Sequence, residues 1–381
     1  MDDAVLIYSD TERDAALRHE LPLGIGDPFL YAEAGGARHV VVSALELPRV
    51  RELPGPYALH PYEEFGIDEL LASGLDREAA TLELVARAVR GLGIRRASVP
   101  HDFPLEVADR LRVDGVELAV DRELFAARRR VKSEAELAGI RRAQAGTEAA
   151  MDVARAMLRS AVAGRDGVLQ LGSEPLTCER LQAEVRRVFT EHDLVADAMI
   201  VSHGAQCAVG HDEGSGPIRT GEPVLLDLFP RDRASGAYTD MTRTWVHGEA
   251  PAEIAAWHAL CVEALQRATA AVRPGVHGKD LHGAACDFFE GHGHPTQKSK
   301  QPGTVLDRGF YHALGHGVGL EVHEQPSIGR TGGALVAGDV IALEPGLYRP
   351  GFGGVRVEDT VLVTADGAVS FAASYDTSLE P

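Results

Sequence analysis

Residues 310–326, FYHALGHGVGLEVHEQP, restrict the possible folds of this 381-residue chain more than any other stretch. Three histidines, His312, His316 and His323, fall within twelve positions and are interleaved with Gly315, Gly317 and Gly319. A glycine costs a helix about 1 kcal/mol relative to alanine, and three at alternate positions exclude one. The pattern predicts an irregular, closely approached loop over 312–319. The alternation of Leu320 and Val322 with Glu321 and His323 predicts a short strand leaving it. Such glycines let the backbone come close to a ligand or metal while imidazoles project from it. A histidine-bearing turn satisfies the same pattern, so the reading depends on what else the chain supplies.

It supplies acids in apolar settings. Asp227 sits among Val224, Leu225, Leu226, Leu228 and Phe229. A carboxylate in such a strand is unfavourable unless it is paired or holds a cation. The following segment, YTDMTRTW, brings Asp240 after the connection PRDRASG, so a hairpin would set the two acids side by side. The pattern recurs further on: Glu344 lies in VIALEPG and Glu358 in GGVRVEDTVLV, with Arg356 on the face of Glu358 by the two-residue period. Any one of these fits an edge strand, a turn acid or a salt bridge. Four of them with a Gly-His loop point to a cation site. Four carboxylates and one imidazole suit two divalent ions, with manganese favoured and cobalt, zinc or iron compatible. Two such ions activate water for hydrolysis.

Composition narrows the alternatives. The formal charge of −19 disfavours nucleic acid and anionic membrane as partners. The acidic start MDDAVLIYSD lacks the character of a signal peptide, and no stretch reaches membrane-span length. Cys178, Cys207, Cys261 and Cys286 are scattered, which predicts buried free thiols in a cytoplasmic protein.

Taken in order, residues 1–130 read as a small α/β domain, with strands at 38–45 and 95–100 and a helix at 75–93. His60 and His101 look isolated there, and Arg128 to Arg130 read as solvated linker. Residues 131–381 form a second domain. Ser133 and Glu136 make a capping-box pattern opening a helix over 133–163, and Thr177 caps another over 177–192. Strands are expected at 197–203, 223–229 and 237–247. Helices from Pro251 to Arg273 and over 279–290 follow, then strands at 339–345 and 354–363. Helix, helix, strands occurs twice, which implies an α+β pseudo-duplication around a shared sheet.

The motifs GHGVGLEVHE, ALEPGLY and VRVEDT, with the two aspartates before them, resemble the pita-bread metallopeptidases: aminopeptidase P, prolidase and methionine aminopeptidase. The resemblance implies a pita-bread catalytic domain behind a creatinase-type N-terminal domain, often dimeric in relatives. It also implies removal of an amino-terminal residue before proline by a hydroxide bridging two metals. Asp227 would chelate one ion, Asp240 and Glu358 would bridge, and His316 and Glu344 would hold the other. Glu344 would also accept a proton. His323 would contact the scissile carbonyl, His211 the leaving side and His312 the proline, while Arg356 would brace Asp227. The chain departs from the family twice: Asp227 and Asp240 are thirteen positions apart, two more than usual, and Ser327 replaces the arginine typical of prolidases. A dipeptidase, a hydrolase or lyase acting on a small non-peptide compound, and a non-catalytic binding module are the alternatives.

Overall fold

The computed structural model describes residues 3–381 and divides into two compact units, Met1–Arg129 and Arg130–Pro381. The first is built on six strands: β1 (Ala4–Ser9), β2 (Phe29–Ala34), β3 (Ala37–Val42), β4 (Tyr57–Pro61), β5 (Arg96–Val99) and β6 (Glu117–Val120). They lie in the order β4-β3-β2-β1-β5-β6. Alternation along β1 sends Leu6 to one face, against Val85 and Val89 of helix α1 (Arg77–Gly91), and Val5 and Ile7 to the other. His60 is not isolated: its Nε2 lies 3.0 Å from His39 Nδ1 and its Nδ1 2.9 Å from Glu64. The parallel register of β3 and β4 puts positions 39 and 60 on one face, a long-range effect that local pattern does not carry. Nor are the three arginines free linker. Arg128 bonds Glu20 and Glu33 within the first unit, and Arg130 bonds Asp339 within the second. His101 is exposed.

The second unit opens with helix α2 (Glu134–Ser160), whose capping box is complete: Glu136 N–H donates to Ser133 Oγ, and Ser133 N–H donates to the Glu136 carboxylate. Such caps contribute about 1 kcal/mol. Helix α3 (Cys178–Glu191), capped by Thr177, packs on α2 over strands β7 (Ile200–His203), β8 (Pro223–Leu228) and β9 (Met241–Val246). Met151, Leu181, Val185, Leu226 and Trp245 are the centre of that core. Helices α4 (Ala252–Ala271) and α5 (Gly278–Gly291) repeat the arrangement. They cover strands β10 (Gly315–Gly317), β11 (Glu324–Ile328), β12 (Val340–Leu343), the hairpin β13 (Gly346–Arg349) and β14 (Gly353–Arg356), and then β15 (Asp359–Thr364) and β16 (Gly367–Ser370). The five-stranded sheet of this half runs β11-β10-β12-β15-β16. The halves join through a bridge between Thr242 and Glu358 and through Thr244 Oγ1, which donates to the Arg356 carbonyl at 2.9 Å.

Three expectations about the strands are corrected. The His-Gly stretch is reversed: residues 315–317 are strand and 319–323 are a bend. The glycines are there because β10 runs between two neighbours, where a Cβ on Gly315 would strike the Ala342 carbonyl and one on Gly317 that of Gln325. The predicted strand 354–363 breaks at Val357 and Glu358, and the one at 237–247 begins only at Met241. Consequently only Asp227 lies inside a strand, while Asp240, Glu344 and Glu358 sit where strands start or stop. No helix among the described residues is long and apolar enough to cross a membrane, and all four cysteines are buried free thiols.

Candidate metal centre

Asp227 is held on β8 with Ile200 and Thr242 as its cross-strand partners. Asp240 precedes β9, and its backbone is gripped by Thr360, whose Oγ1 accepts from Asp240 N–H at 3.1 Å and donates to Asp240 O at 2.8 Å. The longer connection between the two acids folds away as a tight turn. Asp232 within it accepts two hydrogen bonds from Arg142 of α2, at 2.9 and 2.8 Å, and one from Ser235 Oγ at 2.6 Å. The extra residues therefore leave the carboxyl groups of Asp227 and Asp240 against each other. Glu358 N–H donates to Thr242 O at 3.0 Å, and Thr242 Oγ1 donates to the Glu358 carboxylate at 2.5 Å, so the strand break is pinned to the first half.

His316 projects from β10. Its Nδ1–H donates to the Gly317 carbonyl at 3.0 Å, which leaves the Nε2 lone pair facing Asp240 at 3.6 Å and Glu344 at 3.8 Å. A second ring nitrogen tied to a carbonyl is the usual way a metal-binding imidazole is oriented. Asp240, His316 and Glu358 each offer one ligand atom within 4.8 Å of the others. His323, on the bend, sets its ring edge-on to His316 at 4.2 Å between centroids. His312 Nδ1–H donates to Ala313 O at 2.7 Å, and its Nε2 accepts from Tyr348 Oη at 2.9 Å. Burial, helped by Arg356, drives His312 down to about 3, and burial with His323 nearby drives His316 to about 4, so both rings are neutral. His211 is exposed and close enough to be felt electrostatically by His312 and His323.

The charge balance is lopsided. Arg356 donates to Asp227, and at 3.0 Å to Tyr348 Oη, and among the described residues is the one guanidinium bonded to the carboxylates of this group. Burial, then Glu358, Asp227 and Glu344, raises Asp240 well above its ordinary value; burial with Asp227 and Glu344 does the same to Glu358. Burial and Asp227 lift Glu344 to about 8. Oδ1 of Asp227 and Oδ1 of Asp240 are buried with no hydrogen-bond partner. Unmatched buried carboxylates, orphaned oxygens and a lone imidazole nitrogen aimed among them fit divalent cations. Nine residues singled out from sequence thus lie in the second unit, eight of them in this cluster and His211 at its rim. Tyr348, Thr242 and Thr360 were missed. Tyr348 stands in the quoted motif ALEPGLY, and the two threonines, spaced from the acids by two positions, carried a signal as polar residues in apolar strands.

The model of metallopeptidase family M24 matches residues 138–365. A probable dipeptidase PepE of Mycobacterium tuberculosis is 35% identical over 222 residues, which is 56% of this chain and 55% of that protein. An Xaa-Pro dipeptidase of Pyrococcus furiosus is 36% identical over 171 residues, 44% of this chain and 45% of its own length. These matches span about half the length of the curated relatives. The crystal structure of an X-Pro aminopeptidase from Thermotoga maritima has the same fold, with a TM-score of 0.78 at 21% identity over 99% of this chain and 96% of the other.

Proposed function

Because the chain belongs to metallopeptidase family M24, we propose that it is a dinuclear metal-dependent peptidase that removes an amino-terminal residue preceding proline. The observation that carries this is the unmatched acid cluster: four carboxylates share one guanidinium, and two oxygens are left without a partner. Asp227 would hold one ion, His316 and Glu344 the other, and Asp240 and Glu358 both, with manganese favoured by the oxygen-rich donor set. When bound, the ions supply Lewis acidity and lower the pKa of the attacking water.

The side chains do the rest. Glu344, at the end of β12, takes up a proton on its carboxylate. His323 donates a hydrogen bond to the substrate carbonyl oxygen as charge develops there. The His312 ring, edge-on to Phe310 at 5.1 Å and Tyr311 at 5.6 Å, offers a flat apolar wall suited to a pyrrolidine ring. His211, at the rim, meets the leaving side. Tyr348 links His312 to Arg356 and, through it, Asp227, so the proline wall and the first metal position are set by one chain of hydrogen bonds. The names of the relatives, a dipeptidase and an Xaa-Pro dipeptidase, support the substrate class. A homodimer is proposed from the family resemblance.

Elemental analysis combined with a panel of Xaa-Pro peptides tests this reading. About two divalent ions per chain and cleavage before proline are expected. Full metal loading with no cleavage of any prolyl peptide would transfer the fold to a small non-peptide compound.

A further inference from the structure

A buried ion pair near the centre is used by none of this. Lys132, immediately before the cap of α2, donates from Nζ to the Glu324 carboxylate, and each side chain is 1% exposed. A charge pair so far out of water adds little net stability over apolar residues of the same size, so its presence asks for another reason. Its location supplies one. Residues 319–323 form the bend between β10 and β11, and its end carries His323. Within the bend, Gly319 N–H donates to Glu321 O at 3.1 Å. From outside, Tyr238 N–H donates to Gly319 O at 2.8 Å. The Lys132–Glu324 pair meets both ends of the bend at once. Glu324 opens β11 directly after His323, and the paired Nζ and Oε1 pack against Gly319, where a Cβ would overlap them. Lys132 itself is tied by its backbone to Gly338 O at 3.4 Å.

We propose that Lys132 is a positioning residue: its ion pair with Glu324 clamps the base of the 319–323 bend and so holds the His323 ring against His316. A clamp of this kind is worth having because a hydrogen-bond donor to a developing oxyanion must already stand in place. A misplacement of about 1 Å can lose about 10² in rate. The inference rests on the reading of the site as a peptidase centre for its kinetic part, and on geometry alone for its structural part.

The test uses the full chain with histidine ring nitrogens labelled, in wild type, Lys132→Met and the double variant Lys132→Met/Glu324→Leu. The double variant also removes the acid from which the single change takes its lysine, and so restores folding. The His323 ring resonances should shift in both variants while metal content stays at the wild-type level. On a prolyl peptide, kcat should fall about 10²-fold with KM little changed, and adding His323→Ala should lower it no further. A double variant that melts like wild type, with unmoved His323 resonances, makes the pair purely structural and overturns the proposal. So does a kcat loss that adds in full to that of His323→Ala. If wild type cleaves no prolyl peptide, the peptidase reading falls, while the His323 resonances still decide whether Lys132 positions the ring.

Discussion

Each unit gathers a cluster of acids, and the two clusters are balanced in opposite ways. In the first unit Glu20 and Glu33 are met by Arg128 at 2.9 and 2.7 Å, and Tyr31 Oη donates to Glu33 at 2.7 Å. Arg128 holds the Glu33 carboxyl below its ordinary value. In the second unit Asp227, Asp240, Glu344 and Glu358 have one guanidinium, the last three are pushed upward, and two oxygens have no partner. A matched cluster is complete as it stands. An unmatched one holds a place for positive charge, and that difference separates scaffold from site better than burial does.

Breaking the unmatched cluster gives the largest effect. On the proposed assignment Asp240→Ala or Glu358→Ala removes an acid shared by both metal positions, so both ions and all turnover should go, read by elemental analysis and a prolyl-peptide assay. Without metal, the same change relieves like-charge crowding and should not lower the melting temperature. Glu33→Ala should do the reverse: metal content and turnover unchanged, stability lower by about 1 kcal/mol for the lost charged hydrogen bonds. Full metal content in either site variant would show that the acids do not share ions.

His323→Ala comes next. It should retain both ions and the fold yet lower kcat by about 10², the scale of losing a transition-state donor. Normal kcat with a raised KM would make His323 a ground-state contact instead.

A smaller effect separates the clusters by pH. In the metal-free protein, Asp240, Glu344 and Glu358 bind protons more tightly folded than unfolded. Stability therefore falls as pH rises from the unfolded glutamate value of 4.5 to about 8, where Glu344 ionises. Glu33, held low, contributes stability above the ordinary glutamate value that is lost as pH falls through its folded value. Melts in chelator should thus show a melting temperature that declines from about pH 5 to about pH 8, and saturating metal should abolish the decline. A rising curve in chelator would mean that the acids find counter-charge within the protein.

What was legible in the sequence follows the same division. Helix starts were readable where caps are local: Ser133 with Glu136, and Thr177, bond within three residues of themselves. The repeated helix, helix, strands order was readable because each half has its own apolar periodicity. Acids in apolar runs were readable as a set, because burial of unmatched charge shows in composition along a strand. Strand ends were not. Whether Glu358 lies in a strand or at its break depends on Thr242, 116 positions away, which no local pattern reports. The loop-or-strand reversal at Gly315 has the same origin, since the neighbour that demands a glycine is Ala342. Arg128 and His60 were underread because Glu20, Glu33 and His39, which they meet, are distant in sequence.

The smallest effect concerns specificity, and it applies the counter-charge argument to arginines. A dipeptidase must recognise the free carboxylate of its second residue, and a guanidinium making two charge-assisted bonds is the usual means. By the family resemblance, Ser327 takes the place of that arginine. Arg349, the first neighbour able to replace it, is already matched: it bonds both oxygens of Glu253 at 2.6 and 2.9 Å and stacks on Phe352 at 3.9 Å. Arg330 remains, exposed and within electrostatic reach of His282, whose ring lies 5.7 Å from Phe310 beside the His312 wall. With Ser327 at that position and Arg349 committed to Glu253, an Xaa-Pro dipeptide gains nothing over Xaa-Pro-Yaa, which adds backbone contacts. The tripeptide should therefore equal or exceed the matching dipeptide in kcat/KM, by less than about tenfold, or about 1.4 kcal/mol. Arg349→Ala should leave that ratio unchanged, because its charge is already committed to Glu253. A strong dipeptide preference that disappears in Arg330→Ala would show that an exposed arginine has become the clamp, and that charge at the rim as well as among the buried acids sets specificity.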